Sequence, residues 1–161
     1  MDAVIRPAQA KDNPAIASII RTVMPEFGAG RKGTAINDAE VDSIYEAYSQ
    51  PRTAFFVCEI DGKIVGGGGV APLQDSDQNI CELRKMYFLP EGRGLGLGRK
   101  LLDRCIEAAT ELGFDLCYLE TFSTMHDAMA LYEKRGFKKI PAPMGNTGHF
   151  ACDQFYTIRL R

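Results

Sequence analysis

The residues best suited to do chemistry form one octapeptide, Arg93-Gly94-Leu95-Gly96-Leu97-Gly98-Arg99-Lys100. An apolar run from Met86 to Pro90 precedes it, and a helical pattern at Leu101, Leu102, Cys105, Ile106 and Ala109 follows. A strand, a glycine turn and a helix N-terminus in that order present backbone N–H groups to an anion. Glycine allows a tight turn and close backbone approach, because no Cβ stands between amide and ligand. Arg99 and Lys100 add positive charge, so the implied ligand carries a pyrophosphate. The spacing excludes two common nucleotide loops. The dinucleotide fingerprint G-x-G-x-x-G would need glycine at Arg99, and G-x-x-x-x-G-K-[ST] would need it at Leu97 or Arg99. What remains is R-x-x-G-x-G at Arg93, Gly96 and Gly98, which a glycine turn before an ordinary helix would also satisfy.

The elements that must position this loop can be read from periodicity. Ala3 to Ala8 reads as a strand, and Asp12 or Asn13 caps a helix running to about Met24, with Ile16, Ile19, Ile20 and Val23 on its apolar face. Pro25 to Asn37 reads as a mobile loop with Gly28, Gly30, Gly33, Arg31 and Lys32. A second helix is expected from Asn37 or Asp38, burying Val41, Ile44, Tyr45 and Tyr48. Phe55 to Ile60 and Lys63 to Val65 flank Asp61-Gly62, a type I′ hairpin signal. Four glycines, Gly66 to Gly69, imply a bulge or a group lying close to the backbone. Further strands are expected at Ile80 to Leu89, Leu116 to Thr121 and Phe150 to Leu160. Helices are expected from about Gly96 to Leu112 and from Met125 to Arg135, the latter closed by Gly136. One α+β domain with a mixed sheet, spanning residues 1–161, is the simplest arrangement.

Composition narrows the function classes. A chain of 161 residues can bury a substantial core. No run approaches the roughly 20 apolar residues of a membrane span, and the N-terminus lacks a signal-peptide core. Cys58, Cys81, Cys105, Cys117 and Cys152 form no C-x-x-C and lie mostly in apolar periodic segments, which points to reduced thiols and a cytoplasmic location. A net charge of −2 and a pI near 5.7 argue against broad nucleic-acid binding. With only His126 and His149 and dispersed cysteines, no metal site is indicated.

Residues 82–98, from Glu82-Leu83-Arg84-Lys85-Met86-Tyr87-Phe88 through the glycine loop, resemble motif A of the GCN5-related N-acetyltransferase (GNAT) superfamily. Ala128-Met129-Ala130-Leu131-Tyr132-Glu133-Lys134-Arg135-Gly136-Phe137 resembles its motif B, and the order of elements fits along nearly the whole chain. The resemblance implies a mixed, mostly antiparallel sheet flanked by helices, with a splayed strand pair binding an acyl-CoA. The implied co-substrate is acetyl-CoA, and the implied reaction is direct transfer to a primary amine of a small molecule or peptide. The backbone of Met86, Tyr87 and Phe88 would pair with the pantetheine arm, and the amides of Arg93, Gly94, Leu95, Gly96, Leu97, Gly98 and Arg99 would hold the pyrophosphate. The alternative is a non-catalytic acyl-CoA-binding sensor or interaction module.

Acyl transfer to an ammonium with pKa near 10.4 must overcome a deficit of roughly 4.6 kcal/mol at pH 7, so a base is needed. Glu82 is the first candidate, 11 positions before Arg93 and of the same strand parity as Met86 and Phe88. Its competing role is a solvated carboxylate paired with Arg84 or Lys85, and Glu120 is the alternative base. Tyr132 matches the motif B tyrosine that protonates the departing thiolate; a core aromatic on the face of Ala128, Leu131 and Arg135 is its competing role. Motif B often carries asparagine where this chain has Met125, so that cofactor contact is not carried over. His149 and Asp153 stand near the last strand and could line an acceptor pocket, with a plain surface histidine the competing role for His149. The loop from Pro25 to Asn37 and the segment from Pro141 to Phe150 are expected to shape that pocket. Neither says whether the acceptor is an amino acid, a polyamine, an aminoglycoside-like amine or a protein amine. Oligomeric state stays open, a homodimer being one option.

Overall fold

The computed structural model describes residues 2–28, 36, 38–149 and 151–161. Seven strands among them form one open sheet: β1 (Ala3–Pro7), β2 (Ala54–Ile60), β3 (Lys63–Pro72), β4 (Ile80–Phe88), β5 (Leu116–Thr121), β6 (Lys138–Ile140) and β7 (Gln154–Arg159). Their order is β1-β2-β3-β4-β5-β7-β6, and every neighbouring pair is antiparallel except β4 and β5. The helices are α1 (Asn13–Glu26), α2 (Ile44–Ala47), α3 (Leu97–Glu111) and α4 (His126–Arg135).

The helices cover both faces of the sheet because each buries its apolar stripe against alternate strand residues. On one face Leu101, Leu102, Cys105 and Ala109 of α3, with Tyr132 of α4, pack on Phe56, Cys81, Leu83, Cys117 and Tyr156. On the other, Ile16, Ile20 and Met24 of α1, with Ile44 and Tyr48, pack on Phe55, Val57, Ala71 and Phe122. A fully buried leucine such as Leu101 or Leu102 contributes about 1.5–3 kcal/mol.

The hairpin between β2 and β3 forms as the sequence implies, with Asp61 at φ 50° and Gly62 at φ 85°. Gly136 closes α4 in the left-handed region at φ 113°. The second helix differs from expectation. A 3₁₀ turn at Ala39–Asp42 and the single α-turn of α2 replace it, burying Val41, Ile44 and Tyr48 and leaving Tyr45 exposed. Asn37 and the expected loop residues 29–35 lie outside the described residues, as does Phe150. The short strand β6 was not anticipated.

Two features shape the site. Beyond Glu82 and Tyr118 the parallel pairing of β4 with β5 stops, and β5 continues with β7 alone. The register between β3 and β4 also shifts between Gly67 and Gly69, where Lys85 takes a positive φ of 56°. This is a β-bulge, an extra residue that bends the strand and resets its alternation. The glycine run of β3 accommodates the crowding: a Cβ on Gly69 would stand 2.5 Å from the Ala54 carbonyl and the Phe55 ring.

Candidate active site

The splay of β4 from β5 opens a cleft of about 400 Å³, walled by Met86, Tyr87 and Phe88, by the loop from Gly92 to Arg99, and by Ala128, Leu131 and Tyr132 of α4. The loop bends where the glycines stand. Gly94 and Gly96 have φ 75° and 78°, the left-handed region that favours glycine, and Gly96 is the N-cap of α3. Among the described residues, none of the backbone N–H groups from Gly94 to Arg99 finds an acceptor, as expected of an uncapped helix start. An anion seated there would meet these amides and the positive end of a fifteen-residue helix.

Arg93 plays a different part from that expected of it. Its N–H goes to the Pro90 carbonyl, and its guanidinium donates to the Phe88 carbonyl at 2.7 and 2.9 Å while pairing with Glu26. It ties the end of β4 to α1, and the open amides begin one residue later. Leu95 is exposed at the loop tip.

At its inner end the cleft narrows to a cavity of about 40 Å³ bordered by Glu82, Tyr87, Glu120, Met125, Tyr132, His149 and Cys152, among others. Met86, Tyr87, Met125 and Tyr132 border both spaces. Beyond the narrow cavity a polar pocket of about 270 Å³ is lined by Asp38, Glu40, Gln74 and Thr147, and it shares Glu82, Arg84 and His149 with that cavity. Glu82 therefore stands at the junction between the cleft and the polar pocket.

Glu82 is 2% exposed, so it is not a solvated carboxylate. Its pairing with Arg84 does occur: Nε of Arg84 donates to Oε1 at 2.7 Å. Burial raises the Glu82 pKa above the usual carboxylate range, with Glu120 adding to the rise and Arg84 and His149 opposing it. The result is a carboxylate of increased basicity. Glu120 is less available, because Oε2 accepts from the Tyr118 hydroxyl at 2.5 Å and Oε1 from that of Thr147 at 2.6 Å. Parity corrects one expectation. Because of the bulge, Met86 and Phe88 pack with Cys81 and Leu83 on the α3 face, whereas Tyr87 packs on the α1 face. Glu82 thus shares its face with Tyr87, not with Met86 and Phe88.

Tyr132 is 6% exposed, and its ring packs at 5.8 Å from Phe137 and 6.3 Å from Tyr156. Its ring belongs to the core, and the residue also borders the cleft and the inner cavity. Burial, with Cys105 and Cys117 nearby, pushes its phenol above the ordinary tyrosine value, so it is protonated and can donate. Met125 is the N-cap of α4, and its thioether accepts the Thr121 hydroxyl at 3.6 Å.

His149 is not a surface histidine. Nε2 lies 2.9 and 3.0 Å from the two oxygens of Asp38, which also receives Lys85 Nζ at 2.8 Å. Burial would raise the Asp38 pKa, but the bonds from His149 and the charge of Lys85 hold it below the usual range. Asp153 does not border the inner cavity or the polar pocket; it accepts from the N–H and hydroxyl of Ser123 and fixes the turn after β5. Ligand atoms of Glu82, Glu120 and His149 come within 4.8 Å of one another, a set capable of holding a cation that their separation in sequence concealed. Among the described residues no helix is long and apolar enough to cross a membrane.

Comparison with known proteins agrees with this geometry. The uncharacterized N-acetyltransferase YjgM of Escherichia coli (strain K12) is 49% identical over 151 residues, 93% of this chain and 90% of that protein. IAA acetyltransferase of Azospirillum brasilense is 33% identical over 57% of this chain and 59% of its own length. Among solved structures, a GNAT-family acetyltransferase from Staphylococcus aureus Mu50 superposes with a TM-score of 0.88 at 24% identity, covering 99% of this chain and 100% of that one. The yncA structure from Salmonella typhimurium, solved with its cofactor acetyl-CoA, gives 0.79 at 23% identity, covering 99% and 94%. A family model described as the acetyltransferase (GNAT) family matches residues 16–137, which include β4, the glycine loop and α4, and the chain belongs to that family.

Proposed function

We propose that this enzyme transfers the acetyl group of acetyl-CoA directly to a primary amine, with Glu82 as base and Tyr132 as acid. The observation that carries the reading is the position of Glu82, which borders both the narrow cavity at the inner end of the cleft and the polar pocket beyond it. A donor and an acceptor entering from these two sides would meet beside a buried carboxylate of raised basicity. The residues fit acetyl-CoA as a substrate: the free amides from Gly94 to Arg99 suit the pyrophosphate, and the unpaired edge of β4 from Met86 to Phe88 suits the pantetheine amides.

The proton balance assigns the roles. An ammonium acceptor and acetyl-CoA yield an amide, CoA thiol and one proton. Glu82 takes the first proton, directly or through water, which frees the nitrogen lone pair to attack the thioester carbonyl. The bond from carbon to sulfur then breaks, and Tyr132 supplies a proton to the sulfur as the second nitrogen proton is lost. The polar pocket holds Asp38, Glu40 and Glu82 against Arg84 and the Lys85 that bridges the first two, with His149 besides; the carboxylates still outnumber the permanent cations, which favours a cationic acceptor.

A thiol-release assay with acetyl-CoA and a panel of amino acids, polyamines, aminoglycosides and peptides tests the reading. Release dependent on one amine class is expected. Tight acetyl-CoA binding with no release across the panel would instead indicate a sensor.

A further inference from the structure

We infer that Tyr87 is a second catalytic phenol, its hydroxyl donating to the thioester carbonyl oxygen while Tyr132 serves the sulfur. The inference rests on the acetyl transfer proposed above. Attack by the amine moves negative charge onto the carbonyl oxygen, and collapse moves it onto sulfur. Two atoms at separate positions thus need a hydrogen-bond donor in turn.

The narrow cavity offers few side-chain donors that are not already engaged. Arg84 donates to Glu82 and to the Pro72 carbonyl. Lys85 is held by Asp38 and Glu40, and Nε2 of His149 by Asp38. The Thr121 hydroxyl goes to Met125 Sδ. Apart from the weakly donating thiol of Cys152, the hydroxyls of Tyr87 and Tyr132 alone, among these bordering side chains, have no hydrogen-bond partner among the described residues. Neither hydroxyl is fully enclosed, so each is open to an acceptor atom on an occupant of the cavity.

Placement divides the labour between the two phenols. The bulge at Lys85 turns Tyr87 onto the face of Glu82, next to Met24, Phe122 and Met125. Tyr132 reaches the same space from α4, on the opposite face with Phe137 and Tyr156. A thioester whose CoA arm entered by the cleft would present its carbonyl carbon one bond beyond the sulfur, toward Glu82. Tyr87 is the phenol on that side. Burial, together with Tyr132, Cys152, Asp38 and Glu82 around it, keeps Tyr87 protonated.

The decisive measurement is the infrared band of carbonyl-¹³C acetyl-CoA bound to wild type, Tyr87→Phe and Tyr132→Phe. The band is read without an acceptor amine, so it reports on Tyr87 independently of turnover. A low-frequency, hydrogen-bonded band is expected in wild type and Tyr132→Phe and should move upward in Tyr87→Phe. The same substitution should lower kcat about 10²-fold with KM for acetyl-CoA changed less than about threefold. A wild-type band and kcat in Tyr87→Phe, or a band moved by Tyr132→Phe instead, would overturn the assignment. A band moved by Tyr87→Phe in a protein that releases no thiol with any amine overturns the catalytic role and the transfer reading, leaving Tyr87 as a binding contact.

Discussion

Nε of Arg84 lies 2.7 Å from Oε1 of Glu82, two positions back on the same strand, and that short bond holds a charge where burial opposes one. Burial raises the Glu82 pKa and Arg84 limits the rise, so the carboxylate is more basic than usual while still ionising.

The acidic limb of the kcat/KM profile should therefore belong to Glu82. Activity requires the ionised form, so it is present above the Glu82 pKa and lost as pH falls through it, at a midpoint above the ordinary carboxylate range. Glu82→Gln should lower kcat/KM by about 10²–10⁴-fold and remove that limb. A variant that kept the wild-type limb would show that another group is the base.

Tyr132→Phe should lower kcat by about 10²-fold and leave KM for acetyl-CoA nearly unchanged, because the ring packing against Phe137 and Tyr156 survives. Single-turnover kinetics compared with steady state would check this, since a lost acid slows the chemical step and not product release.

Two glycines should separate binding from folding. A Cβ on Gly96 meets nothing within 4 Å, so Gly96→Ala costs mainly backbone strain at φ 78°, about 1–2 kcal/mol. It would also deform the amide cradle and raise Kd for acetyl-CoA at least about tenfold by calorimetry. Gly69→Ala meets the Ala54 carbonyl and the Phe55 ring; it should lower Tm while Kd barely moves.

Acid stability should depend on Asp12. Its carboxylate is bound by both terminal nitrogens of Arg6, at 2.8 and 3.0 Å, and by the Gln9 N–H at 2.7 Å. The bond to Arg6 holds its pKa below the ordinary value of 3.8, against the effect of burial. A depressed pKa contributes stability that is present above the unfolded value and lost as pH falls through the folded one. Asp12→Asn should cost about 1–3 kcal/mol at pH 7, and its deficit should shrink as urea titrations move below pH 4.

Much of this arrangement was legible in local signals. Asp61-Gly62 and Gly136 act where a positive φ is needed, and the apolar runs of β4 and β5 marked both splayed strands. The rest depended on distance. Lys138-Lys139-Ile140 carries no alternation, and β6 exists only because β7 pairs with it. The helix expected after Asn37 breaks at Ser43, where tertiary packing of Val41 and Ile44 outweighs local preference. His149 reads as a surface residue until Asp38, 111 positions away, is placed beside it. The amide of Arg93 reads as a pyrophosphate donor until the Pro90 carbonyl takes it.

The bulge at Lys85 has a consequence for how this chain could change. It works like a frameshift in the side-chain alternation of β4: residues before it and after it are read in different phases. Deleting one residue at this point would leave every side chain named here in the sequence, yet exchange which of them meet across the sheet. Tyr87 would leave the compartment of Glu82, and Met86 would enter it. A substitution along β4 thus removes one side chain from the site, whereas a change of a single residue in its length would dismantle the site at once.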